Sequence, residues 1–305
     1  MTIAVVIVVG GTGAGKSALA VALAQALTGE VVSADAMALY REMDIGTAKP
    51  SLAEQGGVRH HCLDCVPVDS PCDITRWLAM ADDASAEIHA RGHRVIVAGG
   101  SPLYIKAYLE GLSTGAPGDP AIRTHWQQRY DAEGGERLLA ELQAVDPEYA
   151  AQRHANDRRR IVRALEVHQI TGRPFSSFHV TDGHRRDCYR TLLLGLAWPR
   201  EELHRRINAR VKAMFAAGLV EEVAALRHRL GDQARQAVGY KEVIAHLDGA
   251  YDREEAIYRV ARATRLLAKQ QRTWFKRFAD IVWLDGAAQD LTQQALHLAQ
   301  DFLAR

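Results

Sequence analysis

A glycine-rich loop joins a predicted strand to a predicted helix near the start of the sequence. The apolar run Ile3–Val9 predicts a buried strand, and Ala18–Leu27 has a helical pattern. Residues 10–17 between them read GGTGAGKS, which is the phosphate-loop pattern G-x-x-x-x-G-K-[ST] in the strand–helix context that it requires. The backbone N–H groups of such a loop and the positive helix end attract an anion. The loop therefore predicts a strand–loop–helix unit that binds a phosphorylated small molecule.

The loop residues have different predicted tasks in binding that phosphate. The Lys16 ammonium would neutralise a terminal phosphate, and the Ser17 hydroxyl suits a Mg²⁺ ion that the phosphate carries. An ordinary glycine-rich turn with a surface lysine is the alternative, and the complete match in the right context disfavours it. The residues predicted to bind phosphate are Gly10, Gly11, Thr12, Gly13, Ala14, Gly15, Lys16 and Ser17.

Composition limits the other functions that the chain could have. The formal net charge of the 305 residues is +1, so any nucleic-acid site must be a local basic patch. The sequence contains no apolar run of membrane-spanning length, and no basic leader precedes the first predicted strand. We therefore expect a cytoplasmic protein that does not enter a membrane.

Cysteines near a histidine pair raise the question of a zinc site. Cys62 and Cys65 have the C-x-x-C spacing of zinc ligands and follow His60-His61, with Cys72 nearby. The sequence lacks a second matching ligand pair. Reduced cysteines that pack as small apolar side chains in a cytosolic protein are therefore the favoured interpretation.

The order of predicted elements indicates an α/β fold with an insertion. Strands and helices alternate in the first third of the chain, which predicts a parallel sheet. The composition changes at Ser113–Pro120, and the following segment is helical and rich in arginine. We predict a P-loop NTPase-like parallel sheet flanked by helices, formed by residues 1–115 and 190–305, with an all-helical domain inserted at residues 116–189.

The ends of two predicted strands distinguish classes of phosphate-loop protein. In NTPases an apolar strand ends in an acid that holds Mg²⁺, but Val95–Ala98 ends in Gly99-Gly100-Ser101. An acid, Asp35, follows the strand Val31–Ala34 instead. Strand ends converge at the ligand crevice of a parallel sheet, so Asp35 should lie beside the loop. Position alone leaves two kinds of role open: a general base for an incoming nucleophile, or a group that only caps the following helix or orders the Mg²⁺ shell.

Two basic segments point to a polyanionic partner. On a helix, Arg265, Lys269, Arg272 and Lys276 would form one cationic stripe within Thr264–Arg277. A solvated helix face is the common explanation of such a stripe. The interleaved glutamines and aromatic residues suit structured RNA better, because RNA recognition relies on stacking and backbone contacts. A second basic cluster, Arg158–Arg160 with Arg163, lies in the predicted insertion.

Motifs in the same order over nearly the whole chain resemble the tRNA dimethylallyltransferase family, bacterial type. They include the loop itself, Ser33-Ala34-Asp35, residues 43–50, His60-His61, residues 99–104, Asn156-Asp157, residues 160–167, Thr171–Pro174, Pro199–Val211, Val238–Glu242, Thr264–Arg277 and Trp283–Asp285. The resemblance implies transfer of a dimethylallyl group from dimethylallyl diphosphate to N6 of the adenosine 3′ of the anticodon, in tRNAs that read codons beginning with U.

The resemblance also assigns catalytic roles residue by residue. Asp35 matches the base, Ser101 replaces a threonine that is usual near the acceptor, and the loop binds the diphosphate leaving group rather than ATP. Lys16, Mg²⁺ through Ser17, and the arginines at 206 and 210 would neutralise the departing diphosphate. Arg206 and Arg210 are four residues apart on one helix face. The implied enzyme is a Mg²⁺-dependent monomer.

The same matching predicts the tRNA contacts. They are Asp35, Ala36, Met37, Ala38, Ser101, Arg123, Arg159, Arg160, Ile161, Val162, Arg163, Arg235, Gln236, Gly239, Tyr240, Lys241, Lys269, Gln270, Gln271, Arg272, Thr273, Trp274, Phe275 and Lys276. The chain departs from relatives at Ala36 and Ala38, where serine and glutamine are usual, and at Gly13-Ala14, where alanine and serine are usual. These departures bear more on base recognition than on the diphosphate site.

Three alternative functions remain compatible with parts of the sequence. A nucleotide-dependent kinase would use Asp35 to activate a hydroxyl, and a prenyltransferase could act on free adenine nucleotides. A non-catalytic RNA-binding relative is the third. The helical insertion and the basic helix favour tRNA as the acceptor, and the joint presence of Lys16, Ser17 and Asp35 favours catalysis.

Overall fold

A computed structural model of the chain describes residues 2–112, 118–178 and 185–305. The chain divides into two compact units, Met1–Leu109 with Arg186–Arg305, and Glu110–Arg185. The insertion predicted at 116–189 differs from this second unit at both ends, and residues 113–117 of the predicted linker lie outside the described residues. None of the helices formed by the described residues combines the length and apolar character of a membrane span.

The first unit is built on a six-stranded sheet in which every pairing is parallel. Its strands are β1 (Ile3–Gly10), β2 (Gly29–Ser33), β3 (His60–His61), β4 (Arg94–Gly99), β5 (Tyr189–Ala197) and β6 (Ile281–Asp285). The spatial order is β3-β2-β4-β1-β5-β6, with β1 at the centre of the longest pairings. Val5–Val9 are at most 1% exposed because helices cover both faces of β1, and this explains its unbroken apolar run.

Helices connect the strands and form the second unit. Their bounds are α1 (Lys16–Leu27), α2 (Leu52–Gln55), α3 (Ile74–Ala90), α4 (Pro102–Glu110), α5 (Pro120–Glu133), α6 (Gly135–Val145), α7 (Pro147–Ala150), α8 (Arg158–Thr171), α9 (Arg200–Ala216), α10 (Leu219–Leu226), α11 (Asp232–Arg235), α12 (Tyr240–Leu247), α13 (Arg253–Phe275) and α14 (Leu291–Leu303). The structure confirms the predicted parallel sheet, and the described part of the second unit contains helices and no strand.

The second unit has an apolar core of its own. Leu138 and Leu142 of α6 pack with Ile161, Ala164 and Leu165 of α8. Both helices contribute residues at three- and four-residue spacing, so one face of each is buried and the other stays polar. This core positions the arginines of α8 on the outward face of the unit.

Two details of the fold differ from the sequence prediction. Strand β3 was not predicted, because two residues, His60 and His61, are too short a run to show periodicity. The helical pattern of residues 237–247 predicts a helix that starts at Ala237, but helix α12 starts at Tyr240. Gly239 has a φ of 99°, a left-handed conformation that a continuous α-helix cannot contain.

Candidate active site

Two adjoining pockets lie where β1, β2 and β4 end. The first, with an empty volume of about 640 Å³, is lined by polar groups that include Ser17 and Thr47. The second, about 750 Å³, is mostly lined by apolar side chains of α9, α13 and the segment before α12. Both pockets share the lining residues Thr12, Lys16, Asp35, Thr47 and Arg210. The site therefore has a polar half and an apolar half that meet at two cations and one carboxylate.

Side chains from outside the loop hold the phosphate loop in shape. The indole N–H of Trp198 donates to the Ala14 carbonyl at 2.9 Å, and Arg206 Nε donates to the Gly13 carbonyl at 3.0 Å. The Arg206 guanidinium stacks on the Trp198 ring at 4.2 Å. Gly15, which precedes α1, has a φ of 94°. Glycine adopts this left-handed conformation without steric cost, which agrees with the glycine that the motif requires there.

Two cations line the site, and neither contacts an acidic side chain in the part of the chain that the structure describes. Lys16 Nζ donates to the Gly11 carbonyl at 3.0 Å and forms no ion pair with a described residue. Burial lowers the pKa of Lys16 to about 8, although Asp35 opposes the shift. Burial also lowers the pKa of Arg210, opposed by Asp35 and Glu54, and its guanidinium makes no hydrogen bond within the described chain. An anion entering the site would supply both missing partners.

The structure places Asp35 two residues after the end of β2, lining the same pocket as the two cations. Its Oδ1 accepts hydrogen bonds from the backbone N–H groups of Met37 at 2.9 Å and Ala38 at 3.2 Å. No described residue donates a hydrogen bond to Oδ2. Asp35 thus caps the turn after β2 with one oxygen, and the other has no hydrogen-bond donor among the described residues, so the geometry is compatible with either role that the sequence left open.

Arg206 and Ser101 lie outside both pocket linings. Arg206 braces the phosphate loop, whereas Arg210, one helical turn later, lines both pockets. Ser101 precedes α4, and its Oγ accepts a hydrogen bond from the Ala36 N–H at 3.0 Å. Ser101 therefore connects the end of β4 to the residue that follows Asp35. Direct contact of Arg206 and Ser101 with the substrate stays a prediction.

A carboxylate that the sequence analysis missed holds one wall of the site. Glu222 of α10 accepts hydrogen bonds from the backbone N–H groups of Asp44, Ile45 and Gly46 at 2.7–3.0 Å. The Tyr240 hydroxyl also donates to Glu222. The segment fixed in this way supplies the wall residues Gly46, Thr47, Ala48 and Pro50. Nothing in the local pattern around Glu222 signals this long-range role.

Residues of the first unit that are predicted to contact tRNA divide into exposed and enclosed side chains. Lys269, Gln270, Arg272, Thr273 and Lys276 are exposed on one side of α13. By contrast, Gln271, Phe275 and Tyr240 are at most 8% exposed, and Ala38 is 5% exposed. Trp274, Arg235 and Met37 are half-buried, whereas Gln236 and Lys241 are exposed. RNA could contact the exposed side chains directly, whereas the enclosed side chains pack beneath this exposed surface.

The predicted tRNA residues of the second unit show the same division. Arg123, Arg159 and Arg160 are exposed, whereas Ile161 and Val162 are at most 2% exposed. The carboxylate of the buried Glu166 accepts hydrogen bonds from Arg123 at 3.0 Å and pairs with Arg163 at 3.0 Å. Glu166 thus fixes two of the predicted RNA-contacting arginines.

The donor set of the polar pocket fits Mg²⁺ better than zinc. Ser17 and Asp35 present oxygen atoms to the same pocket, and Mg²⁺ takes one or two protein oxygens together with substrate phosphates. The described residues contain no group of three His, Cys, Asp or Glu side chains that could hold a metal. Burial raises the pKa of Cys62 to about 12 and also raises the pKa values of Cys65 and Cys72, which favours neutral thiols. His61 instead bonds to the buried Glu30 at 2.7 Å.

Comparison with known proteins places this geometry in a family. Residues 38–278 match the family model described as IPP transferase. The chain is 46% identical over 281 residues to the tRNA dimethylallyltransferase of Anaeromyxobacter dehalogenans, covering 92% of this chain and 94% of that protein. It is 44% identical over 283 residues to tRNA dimethylallyltransferase 1 of Trichlorobacter lovleyi, covering 92% and 93%.

Solved structures agree with the sequence comparisons. The full-length tRNA isopentenylpyrophosphate transferase of Bacillus halodurans matches with a TM-score of 0.72 and 35% identity, over 98% of this chain and 95% of that one. A eukaryotic dimethylallyltransferase captured acting on tRNA matches with a TM-score of 0.84 and 27% identity, over 99% and 80%. The loop, the strand-end acid and these matches together show that the chain belongs to the IPP transferase family, that of the tRNA dimethylallyltransferases.

Proposed function

We propose that the chain transfers a dimethylallyl group from dimethylallyl diphosphate to N6 of the adenosine 3′ of the anticodon, in tRNAs that read codons beginning with U. The adenosine N6 forms a bond to C1 of the dimethylallyl group as the C1–O bond to diphosphate breaks. The amine proton leaves N6, and diphosphate leaves with the bonding electron pair. The products are N6-isopentenyladenosine, diphosphate and one proton.

In this proposal the polar pocket binds the leaving group. Lys16 and Arg210 are desolvated cations without an acidic contact, so they stabilise the charge that develops on diphosphate as the C1–O bond breaks. Arg206 acts on the same group through the loop that it braces. Ser17 would hold Mg²⁺, which when bound supplies further charge neutralisation. The apolar pocket gives the dimethylallyl group a dry environment.

The acceptor side of the proposal depends on Asp35. Its Oδ2 takes the proton from N6, while Oδ1 keeps the side chain in place through Met37 and Ala38. The adenine must leave its stack to reach the pocket, as bases do in other enzymes that modify them. The exposed basic residues of α13 and of α8 would hold the RNA backbone during this step.

One observation carries the proposal: a carboxylate with an uncommitted oxygen lines the same pocket as two cations that lack an acidic contact. The test is mass analysis of nucleosides from unmodified tRNA incubated with the protein and dimethylallyl diphosphate. We expect N6-isopentenyladenosine at one position per tRNA and one diphosphate released per transfer. Parallel reactions with AMP as the acceptor, and with ATP as the donor, should give no product. Transfer to AMP at a rate similar to that for tRNA, or ATP consumption, would instead support a nucleotide prenyltransferase or a kinase.

A further inference from the structure

A buried glutamine connects the phosphate loop to the end of a neighbouring strand. Gln271 of α13 is 8% exposed, and its side chain points inward from a helix whose opposite side is basic. Its Oε1 accepts a hydrogen bond from the Thr12 N–H at 2.7 Å. Its Nε2 donates to the Gly100 carbonyl at 2.7 Å. One amide therefore joins the loop after β1 to the turn after β4.

The two groups that Gln271 connects belong to opposite sides of the proposed reaction. Thr12 lies in the loop that would hold diphosphate. Gly100 precedes Ser101, whose Oγ accepts from the N–H of Ala36, the neighbour of Asp35. A chain of three hydrogen-bonded links thus runs from the leaving-group side to the proposed base. Glutamine suits this place because its amide carries a donor and an acceptor at one end.

We propose that Gln271 is a positioning residue that fixes the phosphate loop relative to the Gly100–Asp35 side of the site. This inference rests on the proposed function, in which the loop holds diphosphate. It also assigns Gln271 a task different from the tRNA contact that the family resemblance predicts. The Gln271 side chain also borders the apolar pocket, but its two polar atoms are committed to Thr12 and Gly100, and it acts through them.

The two hydrogen bonds of the Gln271 amide allow a test whose expected result differs from that of a simple loss of packing. In Gln271→Glu, a protonated carboxyl can still accept from Thr12 and donate to Gly100. The ionised carboxylate has no donor, so two oxygen acceptors face each other at the Gly100 carbonyl, which raises the pKa of the introduced group. Asp35 in the same pocket acts in the same direction, whereas Lys16 and Arg210 act against it. In Gln271→Met, neither hydrogen bond can form at any pH. Gln293→Glu on the exposed side of α14 is the matched control.

The first measurement is calorimetric binding of inorganic pyrophosphate to the full chain and the three variants, between about pH 5 and pH 8. The ratio of variant to unmodified affinity removes the titration of pyrophosphate and Lys16. We expect Gln271→Glu to bind nearly as well as the unmodified chain at the acid end, and about tenfold more weakly at the alkaline end. Gln271→Met should be weaker by a constant factor, and Gln293→Glu should match the unmodified chain.

The second measurement separates this role from an RNA contact. In steady-state transfer, Gln271→Met should raise the KM for dimethylallyl diphosphate and lower kcat, with the KM for tRNA unchanged. A rise confined to the KM for tRNA, or a pH-independent affinity ratio for Gln271→Glu, would overturn the positioning role of Gln271 and leave the proposed function standing. Failure of the unmodified chain to bind pyrophosphate would overturn the proposed function as well. The Gln271→Glu test follows the affinity ratio of one variant to the unmodified chain across pH, so it stays decisive even if Gln271→Met folds poorly.

Discussion

The polar pocket and the arginine surface of α8 use positive charge in opposite ways. In the pocket, Lys16 and Arg210 are largely desolvated, and neither contacts an acidic group of a described residue. On α8 and its neighbour α5, Arg163 and Arg123 share the buried Glu166, and Arg160 lies 3.4 Å from Asp157. Desolvated cations gain strongly from one small anion, whereas arginines already paired with acids gain less from each phosphate. The pocket is suited to tight local binding and the arginine surface to orientation of a large ligand.

Removal of the pocket lysine should have the largest effect. We expect Lys16→Ala to abolish transfer and pyrophosphate binding, because Arg210 alone cannot neutralise the leaving group. The measurements are single-turnover transfer and calorimetry, with Lys212→Ala on the exposed face of α9 as the control. ATP should neither support nor be consumed by the reaction. If Lys16→Ala still bound pyrophosphate, the pocket would not depend on its desolvated lysine, and it would no longer differ in this way from the arginine surface of α8.

The carboxylate of the pocket should be the next most sensitive group. Asp35→Asn keeps an oxygen for Met37 and Ala38 but loses the base, so transfer should fall by about 10²–10⁴ while pyrophosphate binding is nearly unchanged. Nucleoside analysis and calorimetry on the same preparation measure both. A loss of less than about tenfold would make Asp35 a structural cap or a Mg²⁺ ligand.

The pH dependence of transfer should report the unpaired lysine. The pKa of Lys16 is about 8, so its charge is present below that pH and lost above it. We expect kcat/KM for dimethylallyl diphosphate, which reports groups of the free enzyme, to fall as pH rises through about 8, by up to about tenfold per pH unit. Lys16→Arg keeps its charge in this range and should lack this decline, whatever its overall activity. An identical decline in both proteins would assign the titration to another group.

Single arginines of α8 should have smaller effects, and these should depend on their partners. Arg159 forms no ion pair with a described residue, whereas Arg160 is near Asp157. Arg159→Ala should therefore weaken tRNA binding more than Arg160→Ala and reduce the salt slope by about one. Binding isotherms at several salt concentrations measure both quantities. Equal losses of tRNA affinity in the two variants would show that pairing with Asp157 does not reduce the contribution of Arg160 to RNA binding.

The smallest expected effect concerns the two alanines after Asp35. Ala38 is 5% exposed and lines the polar pocket, so a glutamine introduced there could reach the adenine of the target nucleotide. Ala36→Ser with Ala38→Gln should improve discrimination for adenosine by about 0.5–1.5 kcal/mol per added hydrogen bond. It should also make tRNA affinity less dependent on salt, because less of the binding would rest on backbone contacts. The measurement is transfer to tRNAs with adenosine or another base at the target. Unchanged selectivity and an unchanged salt slope would argue against this account.

The sequence predicted the parts of the molecule in which function depends on local pattern. The loop at 10–17, helix α1 and the acid after β2 are each encoded within a few neighbouring residues, and the alternation of strands and helices predicts the parallel sheet; the structure has each of them. The helical character of the insertion also follows from its periodicity. The sequence could not distinguish exposed from buried members of one basic segment, so Gln271 and Phe275 were grouped with Arg272.

Contacts between distant segments were beyond the sequence. Trp198 and Gln271 hold the phosphate loop from positions 184 and 259 residues away, and Glu222 holds residues 44–46 from 176–178 residues away. Such partners carry no periodic or spacing signal, because folding alone brings their donors and acceptors together. The sequence by itself determined which chemical groups the chain possesses and the order of its elements. Only the tertiary structure decided which of these groups lie buried without a partner, because desolvation and hydrogen-bond pairing depend on every segment that packs around a side chain.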